Sequence, residues 1–200
     1  MTSPRILVVF YSRTGTTRKI ASLLTRMLDA QAEEIVACAD RSGPFGYVRS
    51  LVEALEQRPT QIASSACDVS RFDLLVIGTP VWASSISSPV RSYLIANRSE
   101  FKNVAFFCSF ARRGNHRALE QMRELTGIPA LAECSVTARE ALHGESSEIL
   151  RDFVERLRRN LNAHQMRRPE RPTTSAEHSL LQRIRAHASE DRGVENRTRG

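Results

Sequence analysis

The chain is short of the residues from which metal and thiol-redox sites are built. Its four cysteines, Cys38, Cys67, Cys108 and Cys134, are scattered over 200 residues without a C-x-x-C pair, and its five histidines do not cluster with them. That spacing suggests neither a disulfide framework nor a metal site, and it leaves buried or half-buried thiols as the expected role. Lysine is nearly missing. Lys19 and Lys102 stand alone, so the net charge of +7 is carried by arginine. No helix or loop gathers those arginines into a dense stripe with interleaved aromatics, and no nucleic-acid partner is expected. No apolar run reaches the ~18 residues of a membrane-spanning helix. The apolar run that opens at Ile6 is too short for a signal-peptide core and no cleavage-like site follows it, so a cytoplasmic protein is expected.

Several catalytic signatures are missing as well. There is no G-x-G-x-x-G for a dinucleotide and no G-K-[ST] for a nucleoside triphosphate. No acidic pair ends the first strand, where a receiver domain would hold its metal. No G-x-S-x-G marks a hydrolase elbow. "CSFARRG" puts Gly114 where a small cysteine phosphatase would need an arginine after Cys108.

What the chain does have is alternation. Arg5–Tyr11, Glu33–Cys38, Phe72–Gly78 and Asn103–Ser109 have the character of buried strands, with a fifth and weaker one near Ala130–Val136. The runs "ILVVF", "LLVIG" and "VAFF" are continuous rather than alternating, which fits a parallel sheet covered on both faces. Between them the apolar period turns helical, predicting helices over Thr16–Ala30, Tyr47–Gln57, Ser88–Asn97, His116–Leu125 and Glu148–Leu161. This β-α order predicts an α/β fold of three layers: a five-stranded parallel sheet, order 2-1-3-4-5, with helices on both faces. Residues 1–163 form that domain. Residues 164–200 are polar and arginine-rich and read as a disordered tail, or alternatively as a docking segment around "SLLQRIRAHA".

The first strand runs into "YSRTGTTRK". Ser12, Thr14, Thr16 and Thr17 place four hydroxyls in six positions around Gly15, where a helix is about to start. A helix N-terminus presents unpaired N–H groups and about half a positive charge. Hydroxyls add uncharged donors, and glycine lets the backbone approach closely, so the loop suits a phosphate monoester. The alternative is an ordinary cap, but a cap needs one hydroxyl. In a 2-1-3-4-5 sheet the ligand crevice lies between strands 1 and 3 at their carboxyl ends. This loop lies at one of those ends and the loop Thr79–Ser88 at the other.

Ser12-Arg13-Thr14-Gly15-Thr16-Thr17 matches the [ST]-x-T-G-x-T phosphate loop of the flavodoxin family at each specified position, and the chain resembles that family further on. "FDLLVIGTPVWASSISSPVRSYL" is similar to its third strand, second flavin loop and following helix. "VAFFCSFARRGNHRALEQM" is similar to its fourth strand and third loop. The likeness spans about Arg5 to Leu161. It implies one noncovalent FMN, with Ser12, Arg13, Thr14, Gly15, Thr16 and Thr17 at the phosphate. It also implies Thr79, Pro80, Val81, Trp82 and Ala83 beside the ring, and Ser109, Phe110, Ala111 and Gly114 from the third loop. Trp82, the only tryptophan, is the candidate ring wall, or else a packing residue. The third loop departs from the family's small, glycine-rich turn by carrying Phe110, Arg112 and Arg113. Those arginines either raise the flavin's potential from beside its N1/C2 edge or face solvent.

On this likeness no catalytic side chain is needed, because the cofactor carries the redox chemistry. The first expectation is an FMN-dependent oxidoreductase taking electrons from NAD(P)H to a quinone or another small acceptor. The second is an electron carrier for a partner protein. Flavodoxin carriers are typically acidic and this chain is basic, so an acidic partner is implied. The third is a non-redox interaction protein acting through its tail.

Overall fold

The computed structural model describes residues 3–37, 60–63, 65 and 67–167. Strand β1 (Ile6–Phe10) leads into helix α1 (Thr16–Leu28), which ends at Asp29 in the left-handed conformation and turns straight into β2 (Gln31–Glu34). Then come β3 (Leu74–Trp82), β4 (Ser85–Ile86), α2 (Ser88–Asn97), β5 (Val104–Phe110) and α3 (Asn115–Thr126). The described part ends with β6 (Ala130–Thr137), the short α4 (Ala138–His143) and α5 (Ser147–Arg167).

Five strands run parallel in the spatial order β2-β1-β3-β5-β6, which is the expected 2-1-3-4-5 once the parallel strands alone are counted. The sixth, β4, is an addition. It turns back antiparallel on the end of β3, with Val81 opposite Ile86 and Trp82 opposite Ser85.

Successive residues of the central strands point to opposite faces, and both faces are dry. Val8, Phe10, Leu74, Val76, Ala105 and Phe107 pack under α1 and α5, against Ile20, Leu24, Phe153 and Leu157. Leu7, Val9, Leu75, Ile77, Val104 and Phe106 pack under α2 and α3, against Val90, Leu94, Ala118 and Met122. This double covering is why the strands carry unbroken apolar runs.

Three boundaries differ from expectation. Strand β2 starts at Gln31 and ends at Glu34, rather than spanning Glu33–Cys38. As an edge strand it is short and polar, so hydrophobicity did not mark it. Strand β3 continues through Thr79 and Pro80 to Trp82, where a proline suggested a loop. Its last residues stay extended because β4 pairs with them on one side and Ser109 stands opposite Pro80 on the other. Helix α5 runs on past Leu161 to Arg167.

The chain divides into two units, Met1–Leu161 and Asn162–Gly200. The described part of the second is the continuation of α5 from Asn162 to Arg167. Cys38, the helix expected over Tyr47–Gln57 and the tail beyond Arg167 lie outside the described residues. Among the described residues no helix is long and apolar enough to cross a membrane, and no group of histidine, cysteine and acidic side chains is arranged to hold a metal.

Candidate cofactor site

A cavity of about 460 Å³ opens at the carboxyl ends of β1, β3 and β5. That is where open α/β sheets take their ligands, and the volume falls in the roughly 300–1,000 Å³ span of small-molecule sites. Thr14 and Thr16 line it from the first loop, Pro80 to Ser84 from the β3–β4 hairpin, and Ser109 to Arg113 from the end of β5 and the turn after it. Ala138 closes one side from the start of α4. No carboxylate is among these lining residues, and two arginines are.

The first loop distinguishes anion binding from capping. The N-cap of α1 is Gly15, at φ 90°, and no side chain caps the helix. None of the four hydroxyls therefore caps the first turn. Two of them brace the loop: Ser12 Oγ accepts from the Gly15 N–H at 3.1 Å, and Thr17 Oγ1 shares a buried 2.8 Å hydrogen bond with Ser109 Oγ. The other two belong to Thr14 and Thr16, which line the cavity. An uncapped helix start with two hydroxyl residues lining a cavity is the kind of donor set that a phosphate monoester takes up.

A second side of the cavity is a hairpin. Trp82 and Val81 line the cavity from β3, and the Trp82 ring stands edge-on to Tyr11, with centroids 5.9 Å apart and planes at 89°. The two-residue turn, Ala83 and Ser84, has φ of 48° and 60°. Positive φ at both positions is what a tight hairpin turn of this hand requires, usually met by asparagine and glycine. Neither residue here is glycine, so each carries about 1–2 kcal/mol of strain, and strain of this kind collects at functional sites. The hairpin base is tied by Thr79. Its fully buried Oγ1 accepts from the Ser87 N–H at 3.1 Å and donates to the Pro80 carbonyl at 2.9 Å.

Of the residues expected to meet the cofactor, the structure gathers Thr14, Thr16, Pro80, Val81, Trp82, Ala83, Ser109, Phe110 and Ala111 around one cavity. Ser12, Arg13, Gly15, Thr17, Thr79 and Gly114 are not among its lining residues. Gly114 is the N-cap of α3 at φ 94°, and a Cβ there would come within 2.5 Å of the Ser84 Cα. Its place is under the hairpin turn. Arg112 and Arg113 are exposed at the rim, and neither forms an ion pair among the described residues. Two lining residues escaped the sequence reading, Ser84 and Ala138. Ala138 had a legible signal: "TARE" is a capping box, in which Thr137 Oγ1 accepts from the Glu140 N–H and Glu140 accepts from the Thr137 N–H.

Two of the thiols, Cys108 and Cys134, are buried. Burial pushes Cys108 up to about 12 and raises Cys134 as well, so both stay protonated at neutral pH and neither is a ready nucleophile.

A doubly covered parallel sheet of this order, with its cavity at the carboxyl edge and a hydroxyl loop after β1, defines the flavodoxin-like fold. Solved structures with that fold include the flavoprotein of Lactobacillus acidophilus in complex with FMN, 17% identical, with a TM-score of 0.59, over 72% of this chain and 99% of that one. The apo form of the flavoprotein from the same organism gives 21% identity and a TM-score of 0.54 over 68% and 93%. A Streptococcus pneumoniae flavodoxin gives 18% and 0.50 over 76% and 96%. No family model and no curated protein matches the chain. At these identities the likeness establishes the fold.

Proposed function

We propose that the chain binds one FMN and works as a flavoprotein oxidoreductase, taking electrons from NAD(P)H to a quinone or another small acceptor. One observation carries the reading: a helix start without a side-chain cap whose spare hydroxyls, Thr14 and Thr16, share a cavity with the only tryptophan. The flavodoxin-like neighbours, one of them solved with FMN, support it.

The residues present fit the group. Thr14, Thr16 and the first turn of α1 would hold the phosphate. Trp82 and Phe110 would flank the ring, and the unpaired donors at the cavity edge suit an anion. Bound FMN would supply the hydride and electron chemistry. The protein's part is to bind, orient and screen. Arg112 and Arg113 hold positive charge at the rim with no carboxylate among the lining residues to cancel it. A charge of that sign attracts an anionic donor such as NAD(P)H. It equally suits an acidic partner protein, which keeps an electron-carrier role as the second reading.

The test is purification followed by an absorbance spectrum, then a screen of donors and acceptors on the same sample. A yellow protein that consumes NADPH with a quinone alone supports the enzyme; a yellow protein that needs a partner supports the carrier. The variant Thr14→Val with Thr16→Val should lose FMN affinity by about 100-fold or more, as loss of two hydrogen bonds to a charged group implies, with the melting temperature of the apo protein held. A double variant that binds FMN as tightly as the parent removes the phosphate assignment.

A further inference from the structure

Among the described residues Arg91 is buried without an ion-pair partner, and Glu124 attracts it only from a distance. Arg91 lies in α2 with 5% of its surface exposed. Its Nη2 donates instead to a neutral group, Gln121 Oε1 on α3 at 2.9 Å, and more weakly to Ser85 Oγ at 3.4 Å. Gln121, equally buried, gathers two more donors on the same oxygen: Ser85 Oγ at 2.8 Å and the Ile86 N–H at 3.2 Å. Among the described residues Arg91 Nε and Gln121 Nε2 have no hydrogen-bond partner. A buried charge held by one amide oxygen and, more weakly, one hydroxyl is a costly arrangement.

What it holds explains it. Ser85 and Ile86 are the whole of β4, and they pair with Trp82 and Val81. Between the two strands lies the strained turn at Ala83 and Ser84, seated on Gly114. The hairpin has no glycine of its own to relax it, so it keeps its place through contacts from α2 and α3.

We propose that Arg91 and Gln121 are positioning residues that clamp β4 and thereby hold Trp82 in place as the wall of the flavin-ring site. This rests on the FMN reading. It separates two tasks in the site: the first loop grips the phosphate, and the clamp sets the ring contact.

The double variant Arg91→Met with Gln121→Met tests it, since removing both partners together leaves no charge buried alone. Trp82 is the only tryptophan, so the near-ultraviolet circular dichroism and the fluorescence of the apo protein report on the hairpin directly. The variant is expected to keep its far-ultraviolet spectrum, lose the Trp82 band, and bind FMN and riboflavin more weakly by the same factor, about 10-fold. Equal loss for both ligands marks a ring contact, because riboflavin has no phosphate. Gln121→Glu, which keeps an acceptor for every donor of the clamp, is expected to retain the Trp82 band and both affinities, and it serves as well should the double variant not fold. A purely structural role lowers the melting temperature and leaves the Trp82 band and the affinities unchanged; that result overturns the inference, as does loss of the band in Gln121→Glu. A parent protein that binds neither flavin overturns the FMN reading instead, and the clamp then stands or falls on the Trp82 band alone.

Discussion

Two helix starts in this molecule look alike in sequence and differ in use. At α4, "TARE" places one threonine and one glutamate three residues apart, and both side chains close on the backbone of the first turn. At α1, "SRTGTT" offers four hydroxyls, and the first turn takes none of them as a cap. The N-cap is a glycine in the left-handed region, a conformation that turns the chain without contributing a side chain. The comparison separates a helix start that satisfies itself from one left open to a ligand. The start of α3 is a third case: Gly114 again leaves the end uncapped, but its reason is room for the Ser84 backbone.

Substitutions at these starts sharpen the difference. The largest effect is expected at Gly114. Gly114→Ala adds left-handed strain of about 1–2 kcal/mol to a clash with Ser84 worth about 1–3 kcal/mol. A thermal melt of the apo protein should show a loss of several degrees or more, and an unchanged melting temperature would mean the hairpin is not seated there. Gly15→Ala comes next. The nearest atom to a Cβ there is 4.0 Å away, so only the strain remains, about 1–2 kcal/mol. It should also weaken FMN binding, as fluorescence titration would show, and full affinity would place the phosphate elsewhere. The smallest change is Thr137→Ala, which removes the capping box and costs about 1 kcal/mol. FMN affinity should stay at the parent value. A matching loss of affinity would erase the distinction between the closed and the open start.

The sequence made the parallel sheet legible because its central strands are buried on both faces, and continuous runs such as Leu74 to Ile77 follow from that burial. The hydroxyl loop was legible for a chemical reason, since four hydroxyls exceed what any cap uses. The β3–β4 hairpin was not legible. Its turn is Ala83-Ser84, without the asparagine or glycine that marks such turns, and Pro80 argued against a strand. The roles of Thr17 and Thr79 were hidden for another reason. Their hydroxyls bond to Ser109 and Ser87, and only the folded arrangement shows that they brace the site's edges rather than line its cavity. Arg91 carried no signal at all, because nothing in a sequence window shows an arginine facing inward.

The hairpin also has a consequence for the order in which the molecule assembles. Trp82 and Ser85 are close in sequence, so the hairpin pairing is the most local in the sheet among the described residues; a favourable hairpin forms within about 1–10 μs. This one has a disfavoured turn, and its supports, Gly114 and Gln121, come from later in the chain. The shortest loop closure among the described strands is thus expected to await a longer one, with the wall of the cavity setting only after β5 and α3 have docked.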